Sequence, residues 1–214
     1  MLRNLITISL IAWQFASADI AGPAAIPVAA TTGTAAPSPC LATTTFVALD
    51  TETTGLNPQR DRVIEIGLVK FKAGKIIERK AWLLDPDRPI PLDAENVHGI
   101  SDAMVKGQPH FKDMYPELLA FIKDATLLAH NAAFDTRFLN REIARIEDAP
   151  PIANPVYCTL RLCRSWFPGL ESYQLGELVK AFKLKPGAHH RALGDAEHLS
   201  HLFIHATENL ARGL

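Results

Sequence analysis

The 214-residue sequence predicts an α/β domain: a mixed five-stranded sheet flanked by helices. Three observations lead there. From Thr44 onward, three consecutive apolar, β-branched runs are joined by short links, which makes an antiparallel meander. Beyond the third run the apolar spacing turns helical. Two further short apolar runs, around Leu127 and Val156, then alternate with helical segments, the order of a sheet covered by helices.

Taken in order, residues 45–50 (TFVALD) read as a buried strand, and residues 55–61, with Asn57-Pro58, as a turn. Residues 62–71 carry Val63, Ile64, Ile66, Leu68, Val69 and Phe71, a second strand. Ala73-Gly74-Lys75 is a tight link to a third strand over residues 76–84. Leu118, Leu119 and Ile122 mark a short helix over 115–123, and residues 126–130 (TLLAH) a fourth strand. Phe138, Leu139 and Ile143 face inward from a helix over 136–146, and residues 156–159 supply the fifth strand. Leu175, Leu178, Val179 and Phe182 mark another helix, and residues 192–210 a long final one. Trp82 and Trp166 read as core packing.

Composition narrows the function. Apolar residues make up 48% of the chain, enough for a substantial core, and the formal net charge is −1. A protein that coats nucleic acid through a basic field is therefore excluded; recognition of nucleic acid must come from a local site. Cys40, Cys158 and Cys163 show neither zinc-ligand spacing nor the even count of a disulfide framework, which fits a reducing compartment.

Residues 1–43 differ from the rest. One arginine, an apolar stretch over 5–15 and the small residues Ala16-Ser17-Ala18 have the form of a secretory signal, while residues 19–43 hold a single charge among alanines, prolines and threonines. The apolar stretch is shorter than the ~20 residues a membrane span needs, so no span is expected. Two readings stand: a cleaved signal on an exported protein, or an unstructured extension on a cytoplasmic one. The folded domain is expected over residues 44–214 in either case.

Three segments carry candidate chemistry. Asp50-Thr51-Glu52 lies on the first strand, where residues two apart share a face. Two carboxylates side by side next to apolar residues repel unless a cation sits between them. Magnesium or manganese suits such oxygen donors better than zinc does. Taken alone, the pair is equally explained as solvent-facing acids. Asp135, in AHNAAFD, follows the fourth strand at a helix start, either as a dipole-complementing acid or as a carboxylate at the rim of the sheet. His189-His190-Arg191-Ala192-Leu193-Gly194-Asp195 opens the last helix, with Gly187 giving a pliant approach. A histidine there has a pKa suited to taking a proton from water.

In this order the segments DTETTGL (50–56), VHGISD (97–102), LLAHNAAFD (127–135) and HRALGDA (190–196) resemble the DEDD exonucleases in their histidine variant. The likeness spans residues 44–210 and is nearest to the proofreading epsilon subunit of bacterial DNA polymerase III and its stand-alone relatives. It implies a ribonuclease-H-like fold and 3′→5′ exonuclease activity releasing 5′-mononucleotides. It implies two divalent cations, Mg²⁺ or Mn²⁺, held by Asp50, Glu52, Asp135 and Asp195, with His190 as general base. Thr51, Thr53 and Gly55 would lie beside the terminal nucleotide, and Asn131 and Phe134 would shape its pocket. His98 with Asp93, five residues earlier, matches a loop lining the same pocket, although relatives carry glutamate at the Asp93 position. His110, His198, His201 and His205 are expected on surfaces or helix faces without a role, and His189 as a flank of the base.

The expected partner is a single-stranded 3′ end of DNA, with RNA as the alternative substrate. A silent nucleic-acid-binding module is the reading from another class, which the presence of all five catalytic positions disfavours. Association with a polymerase is open, but residues 211–214 leave no room for a C-terminal tether.

Overall fold

A computed structural model of the chain describes residues 42–184 and 190–212. The signal-like segment over residues 1–18, nearly all of the linker after it, Gly187 and His189 lie outside the described residues. Five strands form one sheet: β1 (Thr45–Thr53), β2 (Val63–Lys72), β3 (Lys75–Leu83), β4 (Thr126–Ala129) and β5 (Val156–Cys158). Their spatial order is β3-β2-β1-β4-β5. β1 to β3 are antiparallel neighbours, while β4 pairs parallel with both β1 and β5. This is the mixed five-stranded sheet flanked by helices that the sequence predicts.

Alternation along β1 divides the core. Val47 and Leu49 point to one side, where they pack with Phe138 and Leu139 of α4 (Ala133–Ile143) and Leu118 of α3 (Phe111–Ile122). Phe46 and Ala48 point to the other, against Ala196, Leu199 and Phe203 of the long helix α7 (Ala192–Arg212). Each large side chain buried this way contributes about 1.5–3 kcal/mol. Extended one step, the same alternation sends Asp50 and Glu52 towards α7, and Thr51 towards α4.

α7 seats against β2 unusually closely. A Cβ on Gly67 would lie 2.1 Å from the carbonyl carbon of Ala192, so only a glycine admits the backbone of the helix's first turn. Gly67 pairs with Asp50 across the sheet, which brings the start of α7 alongside the carboxylates of β1.

Several boundaries differ from the sequence reading. β1 continues through Thr53, so the Asp-Thr-Glu segment lies within the strand rather than at its end. The segment read as a loop at residues 97–102 is the end of α1 (Leu92–His98), a turn and the start of the short α2 (Asp102–Val105). Gly99 stops α1 in the left-handed region, at φ 70°. α3 begins at Phe111, a turn earlier than read, because the His110 N–H bonds Asp113 Oδ2 at 3.1 Å and Pro116 is tolerated inside the helix. α4 begins three residues earlier than read. The reading had no helix at α5 (Thr159–Trp166), which follows β5 directly. α6 (Leu175–Ala181) and α5 pack on α7 through Cys163, Leu178 and Leu202. Cys158 and Cys163 are free thiols.

Candidate active site

Three carboxylates from two elements converge. Asp50 and Glu52 on β1 and Asp195 in the first turn of α7 each place an oxygen within 4.8 Å of the others. Burial raises the pKa of Asp50 well above the usual carboxylate range, and the charges of Asp135, Asp195, Glu52 and Glu65 push the same way. Glu52 is pushed up to about 7, first by burial and then by Asp195, Glu65 and Asp135, with Arg191 opposing. Positive charge brought to this point would offset both the burial and the mutual repulsion that raise Asp50 and Glu52.

Asp135 lies in the opposite layer, outside this group of three, and acts on Asp50 and Glu52 through its charge. It lies in the first turn of α4 at the end of β4, is 3% exposed, and accepts a hydrogen bond from Thr51 Oγ1 at 2.9 Å. Burial pushes it up to about 7, although the bonds from Thr51 and from backbone pull downward. Thr51 thus ties Asp135 to the strand that carries Asp50 and Glu52. His190 has a left-handed backbone, φ 59°, an exposed position, and an N–H that donates to Asp195 Oδ2 at 3.1 Å.

The residues expected around a nucleotide are placed less uniformly. Thr53 is buried and donates through Oγ1 to the Gly55 carbonyl at 2.6 Å, while Gly55 lies so near Asp61 that a Cβ would stand 2.5 Å from its carboxylate. His98 is 5% exposed; its Nδ1 accepts the Ile100 N–H at 3.0 Å, which leaves the ring proton on Nε2. That Nε2 is buried without a full hydrogen bond, and burial lowers the pKa of the ring. Asn131 turns the chain from β4 into α4 at φ 67°, its carbonyl accepting the Phe134 N–H at 2.8 Å. Phe134 is half-buried, 4.8 Å from the ring of Phe138. Asp93 is exposed and its carboxylate turns to the N–H of Ala94 at 3.0 Å.

Other residues at the site escaped the sequence reading. Glu65, opposite Glu52 on β2, is 3% exposed and grips Arg191 through both oxygens. Its one visible signal was a charge inside the apolar first half of β2. His130 joins the rim together: Nε2 meets the Tyr173 carbonyl at 2.8 Å and Nδ1 the Thr159 hydroxyl at 3.1 Å. His198, expected on a surface or a helix face without a role, lies on the face of α7 that is laid on the sheet: it is 1% exposed, with Nδ1 3.4 Å from Asp195 Oδ1. A second acidic group, Asp85, Asp87 and His110, is a turn, since Asp85 accepts the N–H groups of Asp87 and Gly107 at 3.0 and 3.1 Å.

Comparison with known proteins agrees with this architecture. The profile of the exonuclease family matches residues 47–203. The DNA polymerase III epsilon subunit of Treponema pallidum is 40% identical over 171 residues, covering 77% of this chain and 79% of that protein. The PolC-type DNA polymerase III of Halalkalibacterium halodurans is 42% identical over 157 residues, 73% of this chain; the match spans only 11% of the length of that relative. Among solved structures, exonuclease X in complex with 5′-overhanging duplex DNA superposes with a TM-score of 0.63 at 34% identity, covering 75% of this chain and 90% of that one. An apo exonuclease I shares the fold, with a TM-score of 0.67 at 18% identity. Among the described residues no helix is long and apolar enough to cross a membrane. The chain belongs to the exonuclease family and carries a 3′→5′ exonuclease domain of the kind found in DNA polymerase III epsilon subunits.

Proposed function

We propose that the protein is a metal-dependent 3′→5′ exonuclease that releases 5′-mononucleotides from DNA ends, in proofreading, repair or turnover. The observation that carries this reading is the convergence of Asp50, Glu52 and Asp195, their oxygens within 4.8 Å of one another, with Asp135 coupled to them through its charge. The donor set fits hard divalent cations: every donor is a carboxylate oxygen, burial raises the pKa of Asp50, Glu52 and Asp135, neighbouring carboxylates raise Asp50 and Glu52 further, and a cation would offset both effects. Asp50, Glu52, Asp135 and Asp195 would hold two such ions, Mg²⁺ or Mn²⁺. When bound, they supply Lewis acidity to phosphate oxygens and offset the charge that builds on them.

The chain's own groups supply the rest. Water attacks the phosphorus of the terminal phosphodiester while His190 takes its proton through the imidazole. The bond from phosphorus to the 3′-oxygen of the penultimate nucleotide breaks, and that oxygen leaves as a hydroxyl after protonation from solvent. Thr51 holds the carboxylate of Asp135, Thr53 and Gly55 line the floor where the end of the strand rests, and His98, Asn131 and Phe134 border it. DNA is favoured because exonuclease X, similar over three quarters of this chain, is a DNA complex.

The test is a 5′-labelled oligonucleotide, as DNA and as RNA, with Mg²⁺, Mn²⁺ or EDTA. A ladder shortening from the 3′ end, abolished by EDTA, is expected, faster on DNA. Faster trimming of RNA would move the assignment to an exoribonuclease, and no degradation with any metal would leave a binding module on this fold.

A further inference from the structure

Glu65 is buried with its charge, and burial of this kind stabilises little by itself: a hydrophobic residue of similar volume serves a strand as well or better. What Glu65 adds is geometry. Its Oε1 accepts from Arg191 Nη2 at 2.6 Å, its Oε2 from Arg191 Nε at 3.1 Å, and the same Oε2 from the Ala192 N–H at 2.9 Å. Two successive residues at the start of α7 are thereby fixed to one carboxylate. Arg191 follows His190 directly, and Asp195 lies one turn beyond; the Asp195 N–H bonds the Arg191 carbonyl at 3.0 Å. Two positions along β2, Gly67 gives the backbone of Ala192 its seat.

We propose that Glu65 is a positioning residue, a clamp on Arg191 and Ala192 that sets where the first turn of α7 delivers His190 and Asp195 against Asp50 and Glu52. The assignment rests on the exonuclease reading above and adds to it a group that touches neither substrate nor metal. Misplacement of a reacting group by about 1 Å costs on the order of 10²-fold in rate, and outer-shell partners of metal ligands are worth about 10–100-fold in affinity or activity.

The fold contains its own control. Glu142, 2% exposed on α4, grips Arg62 through both oxygens at 2.8 and 3.1 Å and accepts the Val63 N–H at 3.1 Å. It is a similar chemical device, a buried glutamate on a backbone N–H and on arginine, here Arg62 together with Arg145 at 3.0 Å, but it binds α4 to the start of β2, two residues before Glu65. A merely structural role predicts that the two glutamates behave alike.

The experiment compares Glu65→Gln, Arg191→Lys and Glu142→Gln with the parent protein by kcat and KM on single-stranded DNA. It adds Mn²⁺ affinity by calorimetry without nucleic acid, and thermal midpoint. Glu65→Gln is expected to lose about 10–100-fold in kcat, with KM within about threefold, and to bind Mn²⁺ more weakly. Arg191→Lys, which keeps the charge but not the fork, should move the same way by less. Glu142→Gln should lower the midpoint while leaving kcat and Mn²⁺ affinity within about threefold. If neither kcat nor Mn²⁺ affinity falls further in Glu65→Gln than in Glu142→Gln, the clamp is structural only and the proposal is overturned. Should Glu65→Gln not fold, Arg191→Lys decides by the same comparison. A parent protein inactive on every nucleic acid would sink the exonuclease reading, whereas the Mn²⁺ affinities would still decide the role of Glu65.

Discussion

The backbone N–H of His190 donates to Oδ2 of Asp195 over 3.1 Å. The group proposed to move the proton is thus held, through its main chain, by a carboxylate proposed to hold the metal. The imidazole itself is not part of that tether and stays at an exposed position. Base and ligand are therefore separable by mutation.

His190→Ala leaves the tether and all four carboxylates in place. We expect kcat to fall by roughly 10²–10⁴-fold, the range for a lost general base, with Mn²⁺ affinity unchanged. Full turnover at neutral pH, read from single-turnover kinetics, would remove His190 from the mechanism.

Asp195→Asn keeps an oxygen able to accept the His190 N–H but removes one negative charge from the cluster. Activity should drop by roughly 10²–10³-fold, matching the several kcal/mol that a metal supplies to charge stabilisation. Raising Mn²⁺ should recover part of the loss, because occupancy is what fails. A loss indifferent to metal concentration would point instead to displacement of the His190 segment.

Without metal, the raised pKa values link stability to pH. The folded protein holds protons on Asp50, Glu52 and Asp135 that the unfolded chain releases at lower pH. The folded state therefore binds more protons in that window, and its stability declines as pH rises from about 4 through about 7. In EDTA, thermal midpoints should fall across this range, at roughly 2–4 °C per kcal/mol lost. Saturating Mg²⁺ should restore them most at the alkaline end, where the carboxylates bind metal without first losing protons. Midpoints that stay level in EDTA would mean that the carboxylates ionise freely.

Gly67→Ala places a methyl 2.1 Å from the Ala192 carbonyl carbon, so the start of α7 must move off β2. Overpacking of this kind costs about 1–3 kcal/mol. Activity should suffer more than stability, because the displaced turn carries Asp195. A variant with a normal midpoint and normal rate would show that the helix start accommodates the methyl without moving the site.

The sequence carried the meander and the long last helix, because their apolar periods run for many residues. It also carried Asp50 and Glu52 on one face of a strand, since alternation is local. The partnership of Thr51 with Asp135 was out of reach: their bond joins positions 84 apart, through a layer arrangement no local pattern encodes. Glu65 was hidden because one charge among Val63, Ile64, Ile66 and Leu68 does not disturb a strand pattern. Its partner Arg191 lies 126 positions away. α1 and α5 were missed because both are short, seven and eight residues, and an amphipathic period needs more length to declare itself. The buried side of His198 follows from how α7 lies on the sheet, which the composition of the helix leaves open.

Among the described elements, Asp195 sits on α7, which follows every strand of the sheet and is seated against β2. All five strands precede His190 and Asp195 in the chain. A chain in which α7 has not docked therefore lacks, at β1, two of the groups proposed to act there. Docking of one helix is thus the assembly step on which the proposed chemistry waits.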